Sequence, residues 1–398
     1  CFYCDFAVVP LGDKASGEDG PGSASIKSYL KLLHSEIDLV GFGEPLSTIY
    51  IGGGTPSLLS PSQIGALIEH LKNQFGLQSG SEITLEVDPA SFNKHVLEQF
   101  INVGINRFSL GGQSFDNEIL LKIGRRHDRN QLIESCQWIN EFFEEGKILS
   151  WNLDLIQNLP GHDLDFWQLQ LDEAISVSAP HLSIYDLSIE PGTVFEWRKR
   201  RGEIKLPHDD LSAQISRLTT STLERSGFAR YEISNFALPG HTSRHNRVYW
   251  SGAGWWGFGM GATSCPWGQR LARPRTRETY KKWIHCQENE GLDQSLMEKN
   301  IRPIDLDEQL IVGLRRREGV DLEDLGKSWG WNQKQCSKYL DSLNFFWKDF
   351  LEQGLLKKVG KRIILSNPEG MELSNQILIQ MILWWDSLPL DAVSPPNL

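Results

Sequence analysis

Apolar residues along this chain switch repeatedly between two spacings. A β-branched run, "LSTIYIGGGTPS" (46–57), stops abruptly at three glycines. "SQIGALIEHLKNQF" (62–75) then has apolar residues at helical spacing, and "EITLEVDPA" (82–90) reads as a strand. The alternation continues: helix over 94–104, strand over 106–115, helix over 129–146, strand over 148–161, helix over 166–177 and strand over 181–189. Upstream, 26–40 reads as a helix preceded by a loop at 11–24 rich in Gly, Ser and charge.

Strand and helix alternating with short connections predict βα units around a parallel sheet. Their unbroken order favours an α/β fold built as a barrel or partial barrel over an open, doubly wound sheet. In such a fold the functional residues gather where strands end. Those ends hold Gly52, Gly53, Gly54 and Thr55, then Glu86, Gln113 and Asp154. Each has a structural alternative: the glycine turn with Thr55 or Ser57 capping a helix, the carboxylates orienting loops. Their shared placement after successive strands favours ligand contact.

After about residue 190 the rhythm breaks. A long helix over 209–227 precedes a Gly- and aromatic-rich stretch from Tyr231 to Cys265. From about 300 the chain reads as two helical segments and a hairpin over 355–367 with Gly360 near its turn, a winged-helix-like arrangement. The expected divisions are 1–195, 196–298, 299–387 and a disordered tail at 388–398.

Composition narrows the function classes. The 398 residues carry a formal charge of -11, which argues against broad contact with nucleic-acid phosphates or anionic lipid. No apolar run reaches the length of a membrane helix, and no signal peptide is visible. Six scattered cysteines do not make a disulfide framework, so a reducing, cytoplasmic setting is expected. The basic residues of the C-terminal segment are balanced by acids, which favours a protein- or porphyrin-facing module over DNA binding.

The chain opens "CFYCDF", and Cys1 and Cys4 alone could be a redox pair or half of a metal site. No second C-x-x-C completes a zinc site. The combination is more specific. "CFYCDF", "YIGGGTPSLL", "NRFSLGGQSF", "GRRHD" (124–128), "NLDLIQNLPG", "YEISNFALPGH" and "RHNRVYW" (244–250) occur in one order. Together they resemble the radical S-adenosylmethionine (SAM) proteins of the oxygen-independent coproporphyrinogen III oxidase group, and within it the HemW-type heme chaperones. The resemblance covers nearly the whole chain.

The resemblance implies a 4Fe–4S cluster, SAM and heme as cofactors. Cys1 and Cys4 match the second and third cysteines of C-x-x-x-C-x-x-C. The first would lie upstream together with the first barrel strand, so the chain is expected to begin inside the motif and to hold the cluster poorly. Three thiolates leave the fourth iron open to the amino and carboxylate groups of SAM. By the same resemblance Gly53, Gly54 and Thr55 lie beside the amino end of SAM. Glu86 and Asp154 suit ribose or amino contacts, Gln113 and Arg125 match further SAM contacts, and Tyr3 matches an adenine-side contact.

In the oxidases another cysteine stands two residues after the last cluster cysteine; here that position is Phe6. The chaperones also carry H-N-x-x-Y-W, present as His245, Asn246, Tyr249 and Trp250. A neutral imidazole is a common axial ligand of heme iron, which makes His245 the expected heme ligand, with His241 and Cys265 as competing donors. Trp250, Trp255, Trp256 and Phe258 are expected to cover a porphyrin face. Met260, Thr263 and Asp88 depart from the commoner family residues. The implied function is delivery of heme to acceptor hemoproteins, with an electron donor serving the cluster and both a homodimer and peripheral membrane association left open. Two alternatives remain: an enzyme that oxidatively decarboxylates coproporphyrinogen III, and a cluster-less remnant that only binds a partner.

Overall fold

The computed structural model describes residues 1–8, 21–39, 43–266, 268, 270–290 and 304–394. Five parallel strands, β1 (Leu46–Ile51), β2 (Leu77–Val87), β3 (Arg107–Gln113), β4 (Ser150–Gln157) and β5 (His181–Asp186), lie side by side in chain order. Two short strands close the sheet's far edge: β7 (Asn235–Ala237) runs antiparallel to β5, and β6 (Ala229–Arg230) antiparallel to β7. Strand order equal to chain order means every crossover steps the same way. That is the partial barrel expected from the sequence; a doubly wound sheet would reverse order at its centre.

The crossover helices are α2 (Pro61–Phe75), α3 (Lys94–Asn102), α5 (Arg129–Glu144) and α6 (Leu164–Ser176), with α1 (Pro21–Leu39) ahead of β1. Each crossover helix starts where the sequence supplies a cap. Ser60 with Gln63 and Asp128 with Gln131 form capping boxes, and Asn93 and Asp163 accept from the first free amides of α3 and α6. The short helix α4 (Asn117–Ile123) falls within a connection that sequence reading leaves as loop, capped by Asp116.

Alternation along each strand gives the sheet two unlike faces. Ile49, Ile51, Ile83, Leu85, Leu110 and Leu153 are buried against the helices. The residues between them are polar: Thr48 and Tyr50, Glu82, Thr84 and Glu86, Arg107 and Ser109, Asn152 and Asp154. These line the concave face, so the inside of the partial barrel is a polar surface backed by an apolar shell.

Beyond β5 come α7 (Val194–Arg200), the long α8 (Asp209–Arg225), α9 (Arg244–Ser251) and α10 (Arg277–Glu290), with a small antiparallel pair, β8 (Thr263–Ser264) and β9 (Leu271–Ala272). Buried Glu36 on α1 ties this region down: it accepts from Arg273 Nε at 2.5 Å, Tyr280 OH at 2.5 Å and Gly259 N at 2.7 Å.

The C-terminal unit has its own core around Leu310, Leu343, Trp347, Met381 and Trp384. Helix Leu306–Leu314, strand Val320–Asp321, helices Leu322–Ser328 and Gln333–Phe346, and the hairpin Leu356–Val359 with Arg362–Leu365 follow in order. The three strands form one antiparallel sheet with Arg362–Leu365 in its centre, and Gly360 takes φ +60 in the turn. Helix Ser374–Ser387, which the sequence reading did not foresee, completes the core.

The expected disordered tail is corrected in its described part. Residues Leu390–Val393 form a helical turn with Ala392 buried, and the Ala392 carbonyl accepts from Trp329 Nε1 and Trp331 Nε1, each at 3.0 Å. Residues 395–398, most of the loop at 11–24 and the expected boundary at 298/299 lie outside the described residues. Among the described residues no helix is long and apolar enough to cross a membrane.

Candidate functional site at the mouth of the partial barrel

The chain turns at the end of β1 so tightly that side chains are excluded. A Cβ on Gly52 would lie 2.7 Å from Tyr50 Cε1 and 2.8 Å from Glu86 Oε1, and one on Gly54 would lie 2.9 Å from Val8 Cγ1. Gly53 sits at φ +95, a region open to glycine. The turn delivers one backbone amide to the neighbouring strand: Gly53 N donates to Glu86 Oε2 at 3.0 Å, while Tyr50 OH donates to Glu86 Oε1 at 2.9 Å. Burial pushes the Glu86 carboxyl up to about 7; the Tyr50 hydrogen bond opposes this, and nearby Asp154 adds to it. Thr55 makes no side-chain cap to the following turn. Ser57 instead receives the Asp88 amide at 3.2 Å and meets Ser91 Oγ at 2.6 Å.

Asp154 sits deeper. Ser109 Oγ donates to its Oδ2 at 2.8 Å and Asn152 Nδ2 to its Oδ1 at 2.6 Å. Burial raises its pKa, opposed by hydrogen bonds from Ser183, Ser109 and Asn152. Gln113 ends β3 with φ +61, an uncommon conformation for a non-glycine residue, and its side-chain Oε1 is buried without a hydrogen-bond partner.

Arg125 reaches over the same rim. It donates to Gly111 O at 2.7 Å, pairs with Asp88 Oδ2 at 2.7 Å and points Nη1 at Cys1 Sγ at 3.4 Å; its buried Nε has no partner. The departure at Asp88 therefore puts a carboxylate on Arg125, while Asp88 Oδ1 accepts from Ala90 N at 3.0 Å.

The Cys1–Cys4 loop is pinned between α4 and α7. Phe2 N donates to Ile123 O and Phe195 N donates to Phe2 O, both at 2.9 Å. Tyr3 packs edge-on against Phe195 with centroids 6.4 Å apart, and burial pushes its phenol up to about 12. Cys1 is exposed and Cys4 half-buried, while Cys136, Cys265 and Cys336 are buried elsewhere. Among the described residues no group of three metal-ligating side chains is assembled. The loop thus offers two thiols beside a mouth whose unpartnered Gln113 Oε1 and Arg125 Nε, and whose side-chain-free glycine turn, fit a polar ligand such as SAM.

His245 lies further down the barrel wall. Buried Glu82 on β2 accepts from Ser243 Oγ at 3.2 Å, Arg244 N at 3.1 Å and His245 N at 3.0 Å, so it seats the N-terminus of α9. Both ring nitrogens of His245 are engaged, Nδ1 with Thr48 Oγ1 at 2.8 Å and Nε2 with Tyr249 OH at 3.0 Å. Burial pushes the imidazole down to about 4, which keeps it neutral at physiological pH. Its ring stacks on Tyr50 at 4.9 Å and 21°. One tyrosine therefore touches both the expected heme ligand and the carboxylate of the mouth.

The structure gathers Tyr3, Gly53, Gly54, Glu86, Gln113, Arg125 and Asp154 at one rim with Cys1 and Cys4. It does not gather the expected aromatic cover. Trp255 reaches the His245 side through Tyr249, with centroids 4.9 Å apart, but Trp250 lies under Arg315 and Trp256 and Phe258 pack on the main core. His241 bonds Ser150 Oγ at 3.1 Å and Cys265 is fully buried. Sequence reading missed Tyr50, Thr48, Glu82 and Asn152. Strand alternation could have found them, because they lie two or four residues before Gly52, Glu86 and Asp154 and so share the concave face. It also missed Asn158, which follows β4 at φ +61 with a buried, unpartnered Oδ1.

Comparison with known proteins bears on this geometry. Residues 1–165 match the Radical SAM superfamily. A "Heme chaperone HemW" of Synechocystis is 35% identical over 392 residues, covering 95% of this chain and 92% of the relative. One from Bacillus subtilis is 31% identical over 382 residues, covering 95% and 94%. The solved structure of coproporphyrinogen III oxidase (HemN) from Escherichia coli, a radical SAM enzyme, superposes with a TM-score of 0.75 at 20% identity, covering 96% of this chain and 86% of that one. At that identity the likeness speaks for the fold.

Proposed function

This chain belongs to the HemW heme chaperone family of the radical SAM superfamily, and from that membership we propose that it binds heme through His245 and hands it to acceptor hemoproteins. The observation that carries the reading is the seating of α9. Glu82 fixes a neutral imidazole inside the same barrel wall that holds the Glu86 mouth. A neutral ring can offer a nitrogen lone pair to iron; a protonated one cannot. Nε2 becomes available once the Tyr249 hydroxyl turns away.

The radical SAM family implies a 4Fe–4S cluster and SAM. When bound, a SAM-ligated cluster supplies one-electron chemistry at the sulfonium. Gly53, Gly54 and Thr55 would lie beside the amino end of SAM, and Glu86 would accept from its ammonium. Arg125, paired with Asp88 at 2.7 Å, would offer its guanidinium to the SAM carboxylate. Asp154 would serve ribose or amino contacts, Gln113 a further SAM contact and Tyr3 the adenine side, while Cys1 and Cys4 would supply two thiolates.

Phe6 separates chaperone from oxidase. It is 58% exposed beside the cysteine loop and carries no donor or proton-transfer group. With SAM, reductant and coproporphyrinogen III, the full-length protein is expected to release no protoporphyrinogen, read by porphyrin fluorescence after oxidation. Catalytic turnover in that assay would assign the chain to the oxidases instead.

A further inference from the structure

The stretch "RLARPRTR" (270–277) carries four arginines in eight residues of a chain whose formal charge is -11. Three of them hold the fold. Arg273 is buried on Glu36 at 2.5 Å, Arg275 pairs with Asp5 Oδ2 at 3.1 Å, and Arg277 Nη2 donates to Ser25 O at 2.9 Å. Arg270, just before β9, is placed differently. Its guanidinium stands 5.5 Å from the centre of the Trp255 ring. That ring meets Tyr249 at 4.9 Å, and the Tyr249 ring meets His245 at 5.0 Å, with its hydroxyl on His245 Nε2. A continuous row of contacts thus runs from the nitrogen proposed to bind iron to a cation.

The aromatic part of the row is fixed and its cation is exchangeable. Trp255 is half-buried, its Nε1 donates to Thr263 O at 2.9 Å, and Trp255 and Cys265 exchange main-chain hydrogen bonds at 3.2 and 2.8 Å. The Arg270 side chain is 52% exposed, and its partner is Glu308 on the helix Leu306–Leu314. Nε at 2.6 Å and Nη2 at 2.5 Å converge on the same oxygen, Oε1. This is not the parallel pairing of two nitrogens with two oxygens that makes arginine–carboxylate contacts strong. A half-exposed pair of this form is held weakly and can be replaced by another carboxylate.

We propose that Arg270 is a specificity-determining residue of the heme site, leaving Glu308 to receive a propionate of the bound porphyrin. The inference rests on the heme reading of His245 and adds which end of the ligand is recognised, and by which group. His245 answers to the iron, Tyr249 and Trp255 to the flat ring, and Arg270 to the ionised carboxylate that an apolar tetrapyrrole lacks. Glu308 keeps the guanidinium paired while no porphyrin is bound. One carboxylate then replaces another, so the gain on binding is moderate, which suits a ligand that is to be handed on. The same Glu308 competes with the propionate when heme leaves.

The test is titration of the full chain with two porphyrins in the same mild detergent, read at the Soret band. One is heme; the other is its dimethyl ester, which keeps the iron and the ring and carries no ionised carboxylate. The parent should bind heme about tenfold more tightly than the ester, the scale of one hydrogen bond between charged groups. Arg270→Gln should bring heme down to the ester's affinity and leave the ester unchanged. Arg270→Lys, which keeps the charge without the fork, should fall between. Glu308→Gln removes the competing carboxylate and should tighten heme several-fold without changing the ester. Lys282→Gln, an exposed cation on α10 paired with Glu278, should match the parent with both porphyrins. His245→Ala should weaken both alike, because both keep the iron. Thermal midpoints at the parent value would show each variant to be folded. Heme bound by Arg270→Gln as tightly as by the parent would overturn the proposal. Equal weakening of heme and ester in that variant would overturn it too, since a merely structural residue would act on both. In either case a weakened His245→Ala leaves the heme reading intact. A parent that takes up neither porphyrin, or a His245→Ala protein that binds both as the parent does, would instead remove the heme reading and this inference with it.

Discussion

Glu86 is held between a phenol and a backbone amide, and its carboxyl titrates near neutral pH because the barrel wall buries it. Its pKa of about 7 lies above the 4.5 of a free glutamate, so the neutral form is favoured by folding. The stabilisation this gives is complete below about pH 4.5 and is lost as pH rises through about 7. Relative to Glu86→Gln, the parent should therefore lose stability between those pH values, measured by denaturant unfolding; parallel profiles would show that burial does not perturb this carboxyl. An arriving ammonium reverses the preference by pairing with the ionised form. Glu86→Gln should weaken SAM binding roughly tenfold or more, the scale of one hydrogen bond to a charged group. Tyr50→Phe keeps the ring against His245 and removes only the hydroxyl. It should weaken SAM several-fold and leave heme affinity unchanged, which titration of each ligand would check.

At the scale of elements, the five parallel strands were legible because each is apolar on one face and polar on the other, and β1 and β2 stop at a glycine turn and at Asp88-Pro89. The same logic failed for α9. "RHNRVYW" has no residue fully buried and no apolar stripe, so no periodicity marks it as a helix. Its start is fixed by Ser243, whose Oγ accepts from Asn246 N at 3.2 Å, and by a carboxylate more than 160 residues away in sequence. Long-range pairing of that kind leaves no local signal. The motif itself was readable, but the helix and its anchor were not. Glu82→Ala should cost about 2–3 kcal/mol of stability, because three donors lose a charged acceptor in a largely buried place. It should also loosen heme binding nearly as much as loss of His245 does, while Glu82→Gln should fall between. If Glu82→Ala leaves heme affinity at the parent value, α9 is seated by something else.

At the scale of the whole molecule, the C-terminal unit is tied to the barrel through specific contacts: Arg317 N donates to Tyr231 O at 3.1 Å, and Asn367 Nδ2 to Glu224 Oε1 at 2.8 Å. The last described turn is part of that unit's core. Composition alone hid this, since "LPLDAVSPPNL" is short and proline-rich and reads as a loose end, whereas two indole N–H groups converge on one of its carbonyls. Ending the chain at Pro389 should cost about 2–4 kcal/mol by stranding both donors, visible as a lower thermal midpoint.

Heme binding at His245 is the central proposal. The direct measurement is heme titration of the parent, His245→Ala and His95→Ala, followed at the Soret band. His95 is exposed on α3, outside the motif, and its Nε2 bonds its helix neighbour Gln99 at 3.2 Å. His245→Ala should shift the band and retain heme at least tenfold more weakly, with His95→Ala indistinguishable from the parent. The parent's affinity should stay level from pH 6 to 8, because the imidazole, titrating at about 4, is already neutral there. A His245→Ala protein with the parent's spectrum and affinity would contradict it.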